Sequence, residues 1–276
     1  MTRDNIAIVL SAGYFGFFAH AGFMRAIEER NIDYTAIAGS SAGAIVASLH
    51  ASGVPASEII ATLGEIRKSD FWDSTGAGGF IRALLKKGRG WTGLLKGELF
   101  ERIIERHLRA KTFEACSRRL YLTAFNLATG KDDTFHSGTI ADKVRASCSY
   151  PFLMAPRRIG EADYWDGGFL AKIPLEAMIA REQPDRILVH YLPTREDERG
   201  LNERNWTAFA MLEKSLTAAR KEIEQHRVEA LGEFKERLSW IEPIVPQLGP
   251  DKLAQGNQAV DAAYQFALKR LAEIGL

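Results

Sequence analysis

Residues 36–48 read AIAGSSAGAIVAS: a short apolar run, the pentapeptide Gly39-Ser40-Ser41-Ala42-Gly43, and a second run rich in small residues. The pentapeptide fits G-x-S-x-G, and its flanks predict a strand, Tyr34–Ala38, entering it and a helix, Ala42–Ala51, leaving it. Strand, tight turn and helix in that order describe a nucleophile elbow, whose glycines let neighbouring backbone pass where a Cβ would clash. A serine at such a turn stands at a helix N-terminus, where unbonded N–H groups and the helix dipole favour negative charge. Ser41 is therefore the candidate nucleophile, with the N–H of Ala42 beside it. A Gly/Ser-rich turn that only seats a helix closely on a sheet fits the same residues.

A second element of this kind lies upstream. Ile6–Leu10 predicts a buried strand, and SAGYFGFFAHAGF (residues 11–23) a glycine turn running into a helix over Phe18–Arg30. Ile6 to Met24 is mostly apolar and near the length of a membrane span. Gly13, Gly16, Gly22 and His20 interrupt it, so neither a span nor a signal peptide is expected. The glycine spacing is not G-x-G-x-x-G, and no acidic residue ends the next strand, which argues against a dinucleotide site. Backbone N–H groups of this turn suit an oxyanion hole instead.

Further apolar runs predict strands at Leu120–Phe125, Arg186–Tyr191 and Ser239–Ile244. Helical patterns cover Ser57–Lys68, Glu98–Arg109, Leu175–Arg181, Trp206–Arg237 and Lys252–Ile274. Strand–helix alternation with continuous apolar strands implies α/β layering, with helices on both faces of a mostly parallel sheet. No repeat or linker divides the 276 residues, so one domain over 1–276 is expected. Its motifs lie within about 5–180, and a helical part over 200–276 completes it.

Composition excludes several classes. With 46% hydrophobic and 26% charged residues the chain is globular, and a net charge of +1 argues against a nucleic-acid partner. The two cysteines, Cys116 and Cys148, form no C-x-x-C pair, which fits a reducing compartment and a cytoplasmic protein. The six histidines show no metal-ligand spacing, so no metal and no cofactor is expected.

The remaining chemistry lies in YWDGGFLAKIPLEAM (residues 164–178). Asp166-Gly167-Gly168 puts a carboxylate on a glycine turn beside aromatic residues, where desolvation raises its basicity. An Asp-Gly turn that merely closes a hairpin fits as well.

These three elements, in this order, resemble patatin-like phospholipases. GELFERIIERHL (97–108), LYLTAFNLATGKDDTFHSG (120–138) and DKVRASCSYPFLMAPRRI (142–159) read like successive segments of that family. The resemblance covers roughly Ile6 to Ala180. It implies a three-layer fold and a lipid acyl hydrolase whose nucleophile falls on Ser41 and whose base, from the D-G-G motif, falls on Asp166. It implies a Ser–Asp dyad without a catalytic histidine, a lipid or ester substrate, and oxyanion donors on Ala12, Gly13 and Tyr14. The chain departs from the family there: Ala12, Tyr14 and Phe17 replace glycines, and Gly16 stands where an arginine is usual. A positive φ would sit poorly on Tyr14. Tyr14, Phe15, Phe17 and Phe18 either wall an acyl pocket or pack as core of the following helix.

Two other readings fit the sequence. One is a Ser-His-Asp esterase using His190, and the other a lipid-binding or scaffold protein without turnover. Phe71 to Gly97 mixes Arg82, Lys86, Lys87, Arg89 and Lys96 with Trp91 and several leucines. That pattern suits an interfacial lid giving peripheral contact with an anionic membrane. It equally suits a short core-packed helix, Phe80–Lys87, with a basic edge. Head group, acyl length and oligomeric state are not encoded legibly.

Overall fold

The computed structural model describes residues 5–76, 92–170, 172–193, 208–246 and 248–276. In chain order the regular elements are β1 (Ile6–Leu10), α1 (Phe17–Glu29), β2 (Ala36–Ser40), α2 (Ala42–Ala51), α3 (Ala56–Glu65), α4 (Lys68–Phe71) and β3 (Gly93–Leu95). There follow α5 (Glu98–His107), β4 (Arg119–Asn126), β5 (Lys131–Phe135), α6 (Ala141–Ser147), β6 (Phe152–Met154), β7 (Arg157–Ile159) and β8 (Ala162–Trp165). The chain closes with α7 (Glu176–Glu182), β9 (Arg186–His190), α8 (Ala208–Glu229), β10 (Leu238–Ile241) and α9 (Gly256–Glu273).

Strands β10, β9, β1, β2 and β4 lie side by side and are all parallel. Beyond β4 the sheet turns mixed, with β5 and β8 antiparallel to β4 and β7 antiparallel to β8. Alternate residues of β1 serve opposite faces, and both are buried. Ile8 and Leu10 pack with Phe23, Met24 and Ile27 of α1, Val46 of α2 and Val260 of α9. Ala7 and Val9 pack with Met178 and Ile179 of α7, while Val228 of α8 closes over them. Burial on both faces is why the strands read as unbroken apolar runs. The expected three-layer α/β arrangement is the one observed, with α9 packed on α1 and β10 on β9.

Several expected elements end differently. The helix expected over Trp206–Arg237 stops at Glu229, and Gly232, at φ +59°, turns the chain into a 3-10 stretch before β10. The helix expected over Ser57–Lys68 ends at Glu65, because Ile66 is extended. Strands β5, β7 and β8 were not expected; Lys131–Phe135 is half-exposed and polar, with no apolar run to read.

Most of the basic segment within Phe71–Gly97, residues 77–91, lies outside the described residues, and with it the lid and the helix Phe80–Lys87. The chain on either side is tied together. The Thr75 N–H donates to the Leu94 carbonyl (2.8 Å) and the Lys96 N–H to the Asp73 carbonyl (2.9 Å). The Asp73 carboxylate accepts the N–H groups of Gly97 (2.8 Å) and Leu99 (2.9 Å), capping α5. Gly93–Leu95 was read as irregular but forms β3, parallel to β6. Among the described residues no helix is long and apolar enough to cross a membrane, and no cluster of three His, Cys, Asp or Glu could hold a metal.

Candidate active site

Ser41 caps α2 with φ +51° and ψ −117°, a conformation that L residues rarely adopt. Gly43 lets this turn form: a Cβ there would overlap the Leu10 carbonyl at the end of β1. A Cβ on Gly39 would lie 2.5 Å from the Gly43 carbonyl oxygen. The glycines of the pentapeptide therefore seat the start of α2 against two strand ends at once.

Sheet register explains how Asp166 arrives beside Ser41. Strand β2 pairs with β4 as far as Ser40 opposite Thr123, and β8 pairs with β4 from the opposite direction, with Trp165 opposite Phe125. The residues that follow Trp165 thus run toward the end of β2. Gly167 comes so close to the Thr123 carbonyl and the Ser40 hydroxyl that no Cβ fits. The Ser41 hydroxyl donates to Asp166 Oδ2 at 2.6 Å, and the Gly168 N–H donates to Oδ1 at 2.8 Å.

The segment after α6 supports both residues. Ser147 Oγ accepts the Ser41 N–H (2.8 Å) and donates to the Thr123 carbonyl (2.7 Å). The carbonyls of Ser149 and Ser147 accept the N–H groups of Asp166 and Gly167, both at 3.0 Å. Buried Arg145 fixes this segment from below, donating to Ser149 Oγ, the Lys96 carbonyl and, at 2.7 Å, the Ala155 carbonyl. Sequence reading missed these supports, because nothing local marks an arginine or serine as buried.

Asp166 is only 5% exposed. Desolvation lifts its carboxyl to about 6, against the opposing pull of the Ser41 and Gly168 hydrogen bonds and the charge of Arg220. A carboxylate so placed is more basic than usual yet still ionised at neutral pH.

The glycine turn after β1 corrects one expectation outright. The Ala12 N–H donates to the Lys172 carbonyl at 2.8 Å, so it is not available to a substrate oxygen. The left-handed residue of the turn is Phe15 (φ +51°) rather than Tyr14, so Tyr14 escapes the strain foreseen for it. Among the described residues, the N–H groups of Gly13 and Ala42 meet no acceptor. Gly16 has a packing reason of its own, since a Cβ there would overlap Leu192 Cδ1. The four aromatics divide: Phe18 is core, Phe15 and Phe17 pack partly against that core, and Tyr14 is 62% exposed.

His190 is not brought to the site. It lies fully buried at the end of β9, stacked on Phe23, with Nδ1 2.7 Å from Nδ1 of His20. His20 Nε2 faces the Ser11 carbonyl at 2.9 Å and must carry the proton there. His190 Nδ1–H then donates to His20 Nδ1, which leaves His190 Nε2 bare and without a partner among the described residues. Burial depresses both imidazoles, His20 to about 3. Because the unfolded chain takes these protons near pH 6.5, stability falls as pH drops below that value. At pH 5 His20 alone costs roughly 2 kcal/mol. Melting temperature should fall between pH 7 and pH 5, and fall less in His190→Gln. Equal falls in both proteins would refute the assignment.

Comparison with known proteins agrees with this architecture. Protein YqhO of Bacillus subtilis is 31% identical over 211 residues, covering 69% of this chain and 72% of that protein. Lysophospholipase NTE1 of Debaryomyces hansenii is 25% identical over 183 residues, covering 64% of this chain. The chain spans only 11% of the length of that yeast protein. The crystal structure of VipD from Legionella pneumophila superposes with a TM-score of 0.57 at 17% identity, covering 98% of this chain and 67% of VipD, a likeness of fold. The patatin-like phospholipase family pattern matches residues 8–179, from β1 through the glycine turns of Ser41 and Asp166 into α7, and the chain belongs to that family.

Proposed function

We propose that the protein is a serine-dependent lipid acyl hydrolase, acting on carboxylic esters of the phospholipid, lysophospholipid or simple ester type. The observation that carries this reading is the 2.6 Å hydrogen bond from Ser41 Oγ directly to Asp166 Oδ2, with no imidazole between them. In this reading Asp166 Oδ2 takes the hydroxyl proton as Ser41 Oγ attacks the ester carbonyl. The N–H groups of Gly13 and Ala42 hold the oxyanion that forms. Collapse of the tetrahedral intermediate breaks the ester C–O bond, and the proton passes from Asp166 to the departing alkoxide. Asp166 next takes a proton from water as its oxygen attacks the acyl-enzyme; the acyl–Oγ bond then breaks, the proton passes from Asp166 to Ser41 Oγ, and the fatty acid leaves. We take β10 and α9 to belong to the same catalytic unit, since they extend the sheet and cover α1.

A fluorophosphonate probe should label the purified protein and fail to label Ser41→Ala. Labelling that persists in Ser41→Ala would overturn the nucleophile. Hydrolysis of p-nitrophenyl esters of graded chain length, then of phospholipids and lysophospholipids, identifies the substrate.

A further inference from the structure

Arg220 of α8 reaches the turn that carries Asp166. Its Nε donates to the Phe169 carbonyl at 3.3 Å, and the Phe169 N–H donates to the Asp166 carbonyl at 3.0 Å. Guanidinium and the backbone of the Asp166 turn are thus linked in series. Among the described residues no carboxylate lies within ion-pair distance of Arg220. Nearby Glu224 accepts from the Tyr191 hydroxyl (3.1 Å) and shares its charge between Arg220 and Lys172, whose Nζ donates to the Leu192 carbonyl (2.9 Å). A half-buried cation held in no close ion pair is thus anchored on the turn of the one acidic side chain hydrogen-bonded to Ser41, and its charge acts on that carboxylate.

We propose that Arg220 is a positioning residue for the hydrolysis: anchored on the end of the Asp166 turn, its charge keeps the Asp166 carboxylate ionised and ready to accept the Ser41 proton. This rests on the reading of Asp166 as the base. Burial alone favours the neutral acid, which cannot take a proton, and an adjacent cation opposes that bias. The other groups facing Asp166 do not supply this charge. Ser41, from α2, is neutral, and the Cys148 thiol, just past the end of α6, is pushed up by desolvation and stays protonated. Lys172 is drawn down to about 8 by burial and is committed to Leu192 and Glu224, so it changes charge only on the alkaline side.

The test compares wild type, Arg220→Gln and Arg220→Lys by ¹³C NMR titration of the Asp166 carboxyl, assigned through Asp166→Asn. The same proteins are then assayed for the pH dependence of kcat/KM on an uncharged p-nitrophenyl ester. Arg220→Gln should move the carboxyl midpoint upward by roughly half a unit or more. At pH 5 its rate, relative to its own plateau, should fall about threefold further than wild type, and Arg220→Lys should restore both. A carboxyl midpoint that does not move overturns the proposal, even where activity falls. A midpoint that moves without the rate profile supports the coupling and removes Asp166 as the base. If the Gln variant fails to fold, Arg220→Met carries the same comparison.

Discussion

Ser41→Ala should abolish ester hydrolysis, and Asp166→Asn should lower kcat/KM by about 10²–10⁴-fold. The two losses differ in kind. Alanine removes the atom that bonds to the acyl group, so no acyl-enzyme forms. Asparagine keeps an oxygen at the carboxylate position and the turn on Gly168, but cannot take the hydroxyl proton at neutral pH. Both variants should stay folded, because Ser147, Ser149 and the glycine contacts hold the two turns through backbone groups. Circular dichroism and steady-state kinetics on one preparation check this. Full activity in either variant would remove the dyad.

The same Asp166→Asn protein should be more stable than wild type. An acid held at about 6 when folded and near 3.8 when unfolded binds more protons in the folded state between those values. Stability therefore falls as pH rises through that window and stays lower above it. The cost above pH 6 is roughly 3 kcal/mol for a carboxyl so shifted. Asparagine has no charge to desolvate, so at pH 8 its melting temperature should rise by several degrees. At pH 4, where the wild-type carboxyl is protonated, the two proteins should melt together. A wild type that melts higher at pH 8 would mean that the carboxylate is not desolvated as its burial requires. The gain opposes the activity loss, which is the usual signature of a group held for reaction rather than for folding.

How much of this was legible follows from where each residue's partners lie in the chain. Ser41, Asp166 and their glycines were readable because the close backbone approaches that require glycine are written locally. The central parallel strands β1, β2, β4 and β9 were readable because burial on both faces forces largely apolar runs. Strands β5, β7 and β8 were not, since short, partly exposed strands paired antiparallel need no such run. Ala12 was misjudged because its N–H is taken by Lys172, from far along the chain. Tyr14 and Phe15 exchanged roles because one residue of the turn must be left-handed, and composition does not say which. Arg145, Ser147 and Arg220 act through tertiary contacts alone. Each looks in sequence like an ordinary polar residue of a helix.

Asp73, Thr75, Leu94 and Lys96 form a hydrogen-bonded neck, and Arg145 fastens it to the segment beneath Ser41. The chain on either side of residues 77–91 is therefore held at one fixed doorway. With the ends closed by the neck, lengthening the enclosed chain costs only about 0.6 kcal/mol per doubling. The sheet and the Ser41 turn need not register the change. The doorway is thus the natural splice point of this scaffold. Segments of different length and charge can be exchanged there without rewriting the residues that surround Ser41.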